Sequence, residues 1–247
     1  MTTAGDASAG FFGKVTTHGD FVSRRLPAAF LRCWDMWLQE RLHGSRNALG
    51  ADWLDRYLSS PVWRFALASE ICDASAWAGL LMPSVDRVGR HFPLTIAAGT
   101  VGSPGRSGYE PLLDWLQTSK PWYDHLESFA LSTLRDGFAL DAFDRAVCAV
   151  KPLPTTASVD VCTATMSGDG LWLPLAGLDH VSHQLPGIHQ WLAGFALAGQ
   201  SLWWSDGSAR VRPAILLCKG LPSQAQFTAM LAGTGWPGDR AIEEISA

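Results

Sequence analysis

His18, Asp20 and Ser23 stand close together near the start of the chain, with Arg24 and Arg25 directly behind them. An imidazole base oriented by a carboxylate beside a hydroxyl nucleophile is the chemistry of acyl transfer. Two guanidinium groups offer a different use, gripping a carboxylate or phosphate through paired N–H donors. A triad is assembled in space by the fold, however, so closeness in sequence does not make one. The same residues also make a turn, in which Gly19 permits the bend, Asp20 accepts backbone hydrogen bonds, and Phe21 and Val22 enter the core. These residue types favour the turn.

A second polar cluster runs from Ser84 to His91, Ser-Val-Asp-Arg-Val-Gly-Arg-His, in a chain only 17% charged. Ser84, Arg87, Arg90 and His91 have the donors to hold an anion. Alternatively, Arg90 pairs with Asp86 or with Asp20 and pins one loop to the other. The candidates for contact with a partner or anion are His18, Asp20, Arg24, Ser84, Asp86, Arg87 and Arg90.

Other chemistry is poorly represented. Gly13-Lys14 lacks the upstream glycine of a phosphate-binding loop and is followed by Val15. Gly102-x-x-Gly105-x-x-Gly108 has the wrong spacing for a dinucleotide turn. There is no G-x-S-x-G elbow and no H-E-x-x-H. His180-x-x-His183, beside Asp179 and ahead of His189, is metal-like but lacks a third ligand at suitable spacing. A non-enzymatic protein without metal or cofactor is expected.

Composition bounds the partners. Nineteen basic against twenty-three acidic residues leave a formal charge of −4, too little positive charge for a nucleic-acid surface. Cys33, Cys72, Cys148, Cys162 and Cys218 are scattered and odd in number, which suggests reduced thiols. The N-terminus has no charged start followed by an apolar stretch, and no apolar run approaches the ~20 residues that span a bilayer. A cytoplasmic protein with no membrane insertion is expected. Twelve tryptophans, out of 247 residues, fit a Trp-rich core better than an interface.

These loops must hang on regular elements. Residues 1–9 read as a flexible N-terminus, and 10–247 as one domain. Residues 10–15 suggest a strand, and Pro27 opens a helix with Leu31, Trp34, Leu38 and Leu42 on one face and Gly44 as its stop. A second helix is expected over 47–58. Trp63, Phe65 and Leu67 alternate as a strand does, and the runs 77–82 and 92–98 are further strands. Helical material from 109 to 147 breaks near Pro121 and at Gly137, with Leu126, Ala130 and Leu134 buried. Hairpins are expected around Ser167–Gly170 and from Ser201–Ser205 to Val211–Leu217, the latter turning at Asp206-Gly207. Helices over 186–198 and after Pro222 complete the pattern. Strands interleaved with helices suggest an α/β fold, a single mixed sheet covered on both faces.

Three stretches together resemble one family. Gly10-Phe-Phe-Gly-Lys-Val followed by His18-Gly-Asp-Phe and the Trp34-Asp-Met-Trp37 helix is similar to the opening of the TagF (ImpM) family of type VI secretion-associated proteins. Ser84-Val-Asp-Arg-Val-Gly-Arg-His-Phe-Pro93 is similar to its Ser-x-Asp-x-x-Gly-Arg-x-Phe-Pro segment, and Ser201-Leu-Trp-Trp204 to a late Trp-Trp strand. The resemblance implies a three-layer α/β/α sandwich and an accessory, post-translational repressor of apparatus assembly in a Gram-negative cytoplasm. The implied partner is a forkhead-associated-domain scaffold protein controlled by threonine phosphorylation. Some members carry a fused phosphatase, and a stand-alone form is expected for this chain. No catalytic residues accompany the resemblance. A structural subunit of the apparatus, and a hydrolase or phosphate-ligand protein using the 18–25 and 84–91 loops, are the alternatives.

Overall fold

Strands apolar at nearly every position, such as the run Trp77–Met82, need cover on both faces of their sheet, and the chain supplies two sets of helices for the purpose. The structure, a computed structural model, describes residues 8–99, 119–150, 165–167, 170–172 and 196–236. Its main sheet has seven strands: β1 (Gly10–Gly13), β2 (Val22–Arg24), β3 (Trp63–Leu67), β4 (Trp77–Met82), β5 (Leu94–Gly99), β8 (Gln200–Ser205) and β9 (Ala214–Lys219). The spatial order is β2-β1-β5-β4-β3-β8-β9. Strands from both ends of the chain therefore share one sheet.

One face packs on α1 (Ala28–Leu49), α2 (Trp53–Ser59) and α5 (Gln224–Ala232), the other on α3 (Lys120–Ser132) and α4 (Leu140–Cys148). The result is three layers, α/β/α. Along β3, Trp63, Phe65 and Leu67 join the α1 side while Ala66 joins the α3 side. Trp34 on α1 lies parallel to Trp203 on β8, with centroids 5.9 Å apart, and both touch Phe65. Their N–H groups are not stranded: Trp34 donates to Thr95 Oγ1 at 2.8 Å and Trp203 to Ser201 Oγ at 2.9 Å. Trp37, Trp53, Trp63, Trp77 and Trp122 are buried as well, so tryptophan here is chiefly core.

The expected mixed sheet is corrected to an antiparallel one, since every pairing in it is antiparallel. The period of the side chains reports burial and says nothing of strand direction. Gly44 does not stop α1, which runs on to Leu49. α5 crosses there, and a Cβ at Gly44 would meet the end of the Gln224 side chain, which would have to swing aside. The β8–β9 connection is no two-residue turn. Gly207 has φ +85° with Val211 O and Pro213 N close above it, and Pro213 has no N–H to extend the ladder, so β9 starts at Ala214. Leu134 is exposed because α3 ends at Ser132. β6 (Thr165–Ser167) and β7 (Gly170–Trp172) form the expected hairpin. The helix expected over 186–198 lies mostly outside the described residues, as does the 109–118 stretch.

Candidate functional site

At one end of the sheet, β1 leads into the 14–21 loop, and β4 and β5 are joined by the 83–93 loop. A lone lysine inside the apolar run Phe11-Phe12-Gly13-Lys14-Val15 has to find a carboxylate or leave the core. Lys14 is 5% exposed, and its Nζ lies 2.5 Å from Asp86 Oδ2.

Asp86 organises its own loop. Its Oδ1 accepts the backbone N–H of Val88 at 3.0 Å and of Arg90 at 2.9 Å, while its own N–H donates to Arg90 O. Gly89, at φ +84°, completes this turn, a conformation open to glycine at little cost. Oδ2 accepts from Arg90 Nε at 2.7 Å as well as from Lys14. Burial alone would push the Asp86 carboxyl up. The bonds from Lys14, Arg90 and Val88 outweigh it and hold the group well below the usual carboxylate range.

From this anchor the two loops are stitched together. Arg87 N–H donates to His18 O at 3.0 Å, and the Arg90 guanidinium donates to Gly19 O. Arg90 also stands 4.0 Å from Asp20. Beneath, Ser84 Oγ donates to Lys14 O at 2.7 Å, and Tyr57 O–H spans the Ser84 peptide, donating to its carbonyl and accepting from its N–H. Burial raises the Tyr57 hydroxyl far above its ordinary value, so it stays a phenol.

The candidates thus divide by depth. Ser84 and Asp86, expected at a contact surface, are withdrawn from it: both are buried, and their polar atoms are spent on Lys14, Tyr57 and Arg90. Arg24 leaves the cluster for Asp144 of α4, at 3.8 Å, beside the tighter Arg25–Asp144 pair. His18, Asp20, Arg87 and Arg90 remain together at the surface. Among the described residues no ion pair involves Arg87.

The acyl-transfer geometry is not assembled. His18 Nδ1 lies 2.9 Å from Thr17 Oγ1, and the fully exposed Asp20 side chain turns towards Arg90. The backbone-accepting role expected of Asp20 belongs to Asp86. Phe21 does not enter the core either. It is 47% exposed, stacked on Phe12 and edge-on to Phe92, with the Lys14 ammonium 5.0 Å from its centroid. Val88, 64% exposed, adds a second apolar group on the facing loop. Sequence reading missed Lys14 as a site residue, though its place in an apolar run was the signal.

Among the described residues no cluster of three or more His, Cys, Asp or Glu could hold a metal, and no helix is long and apolar enough to cross a membrane. His180, His183 and His189 lie outside them.

Fold and site together describe an α/β/α protein whose polar loops form a buried ionic clasp under a small mixed surface of arginine, aspartate and apolar side chains. The sequence profile of the TagF N-terminal domain, type VI secretion system-associated, matches residues 10–150. The chain belongs to the TagF family of type VI secretion system-associated proteins. It is also similar to the crystal structure of PA0076 from Pseudomonas aeruginosa PAO1, at 36% identity and a TM-score of 0.78, over 93% of this chain and 96% of that one. Compared with curated protein sequences, the chain has no significant match.

Proposed function

We propose that this chain is a non-enzymatic accessory regulator of the type VI secretion system, repressing assembly after translation by binding a forkhead-associated-domain scaffold protein. The observation that supports this reading is the clasp. Lys14, Asp86 and Arg90 hold two loops in one geometry, and the exposed groups on those loops are thereby preorganised for contact. Preorganised side chains lose little freedom on binding, so a small patch gains affinity. Phe21 and Arg87 are of the residue types that dominate interface energies, an aromatic and an arginine without an ion pair among the described residues. A reading as a structural subunit with tryptophan at the interface is weakened by the buried tryptophans.

The test is calorimetric titration of the protein with its own genome's scaffold, phosphorylated and unphosphorylated. Micromolar or tighter binding in either state, weakened at least tenfold by Phe21→Ala with Arg87→Ala, supports the reading. Absence of heat in both states overturns it.

A further inference from the structure

Away from the clasp, at the other end of β4, a pair of thiols is unaccounted for. Cys33 lies on a half-buried flank of α1, and Cys72 in the connection between β3 and β4. Both are free.

The connection is folded onto the helix rather than draped past it. The Cys33 thiol donates to the carbonyl of Ile71 at 3.6 Å, the residue directly before Cys72. Ile71 and Cys72 both pack on the cluster beneath α1. The turn carrying Cys72 is itself held: Glu70, at φ +65°, donates its N–H to Asp73 O at 2.8 Å. Asp73 Oδ1 accepts from Ser75 N–H at 2.8 Å and from the Trp77 indole at 2.9 Å. Two elements far apart in sequence therefore bring two cysteines side by side.

Neither thiol is sealed off from solvent, in contrast to Cys218, which is buried beside Ser201. The Cys72 thiol holds Cys33 below the ordinary thiol range against burial and the Asp73 charge. An accessible sulfur with thiolate character next to a second thiol is the arrangement of an attacking and a resolving cysteine.

We propose that Cys33 and Cys72 are a redox modification site, forming a reversible disulfide that staples the β3–β4 connection to α1, with a low-molecular-weight disulfide such as oxidised glutathione as the oxidant. The Cys33 thiolate attacks one sulfur of that disulfide. A sulfur–sulfur bond forms as the old one breaks, and the departing thiolate takes up the proton Cys33 gave. Cys72 then loses its proton, attacks Cys33 Sγ and expels the second thiol, which takes up that proton. Two protein thiols are oxidised and one disulfide is reduced to two thiols.

The experiment uses the full chain, reduced and then equilibrated in glutathione buffers of rising oxidised fraction. Free thiols are blocked by alkylation, and intact mass and disulfide-linked peptides are read. The expected result is loss of two alkylatable thiols, a Cys33–Cys72 linked peptide, and full reversal by dithiothreitol. Tm should rise by about 5–10 °C on oxidation. Cys72→Ser and Cys33→Ser should each stop at a glutathione adduct on the remaining thiol, with no linked peptide. The wild-type peptide map needs no variant to fold. Full alkylation of both cysteines in the most oxidising buffer, or adducts without a Cys33–Cys72 link, would overturn the proposal.

Discussion

The Lys14 ammonium and the Asp86 carboxylate, 72 positions apart in the chain, meet at 2.5 Å with the carboxylate wholly out of solvent. A buried pair of this kind adds little net stability over an apolar pair. Removing one partner is costly, because the other charge is stranded. Its value is geometric: it fixes the loop after β1 against the loop before β5, so Phe21, Arg87 and Val88 share one surface.

Acid should expose this dependence. The folded Asp86 carboxyl titrates below its ordinary value near 3.9, so the folded chain binds fewer protons than the unfolded chain in that range. The pair's contribution is complete above about pH 4 and fades as the pH falls towards the folded value. Asp86→Asn keeps the acceptor for the Val88 and Arg90 N–H groups but loses the charge opposite Lys14. Urea unfolding followed by tryptophan fluorescence should show the variant less stable at pH 7, the gap narrowing steadily below pH 4. A gap independent of pH would mean the carboxylate's charge is not what matters.

His91 should add an earlier step. Its ring is edge-on to Trp53 and Tyr57, with centroids 5.9 and 5.7 Å away. Burial, and then the Arg46 charge, hold it below the ordinary histidine value, against a smaller upward pull from Asp86. A histidine that resists protonation in the folded state costs stability as the pH falls below about 6.5. Titration of the His91 imidazole by NMR should give a midpoint below that of an exposed histidine, and His91→Gln should flatten the stability curve between pH 6.5 and 5. A midpoint at or above 6.5 would refute this.

The framework was more legible than the site. β3 announced itself through the alternation of Trp63, Phe65 and Leu67, and β4 as an unbroken apolar run. β2 went unread: three residues, Val22-Ser23-Arg24, are too few to show a period. The arrest at Gly44 was misread because a glycine within a helix looks, in sequence, like one that ends it; α1 runs on to Leu49. For the site, the polar loops were visible as clusters, and an Arg90 pairing with Asp86 or Asp20 was foreseen. Which aspartate would be the buried acceptor was not. Asp20 and Asp86 each sit in a polar turn, and only the tertiary approach of Lys14 distinguishes them.

Surface and anchor should separate in mutants. Arg87 makes no ion pair among the described residues, so Arg87→Ala should change stability by less than about 1 kcal/mol. Phe21→Ala, which loses ring contacts with Phe12 and Phe92, should cost about 1–2 kcal/mol. Scaffold affinity should nevertheless fall at least tenfold in the double variant. Lys14→Ala should instead lower both Tm and affinity, because it frees the loops themselves. Thermal melts beside calorimetric titrations distinguish the two patterns. Equal Tm losses in all three would argue that Phe21 and Arg87 serve the fold.

Trp203 and Trp204 are neighbours in sequence and opposites in place, as alternation along a strand requires. Trp203 is fully buried among Trp34, Trp37 and Phe65, its N–H held by Ser201. Trp204 is only partly buried, edge-on to Tyr123 on the α3 side. Trp203→Ala therefore removes a filled volume that the rigid neighbours cannot close and should cost about 3–5 kcal/mol, some 10 °C in Tm. Trp204→Ala should cost clearly less, because solvent already reaches part of the ring. Since Trp34 and Trp203 are in contact, Trp34→Ala with Trp203→Ala should depart from additivity by about 0.5–3 kcal/mol, whereas Trp34→Ala with Trp204→Ala should add. Equal losses from the two strand tryptophans would contradict the placement of the core on the α1 side of β8.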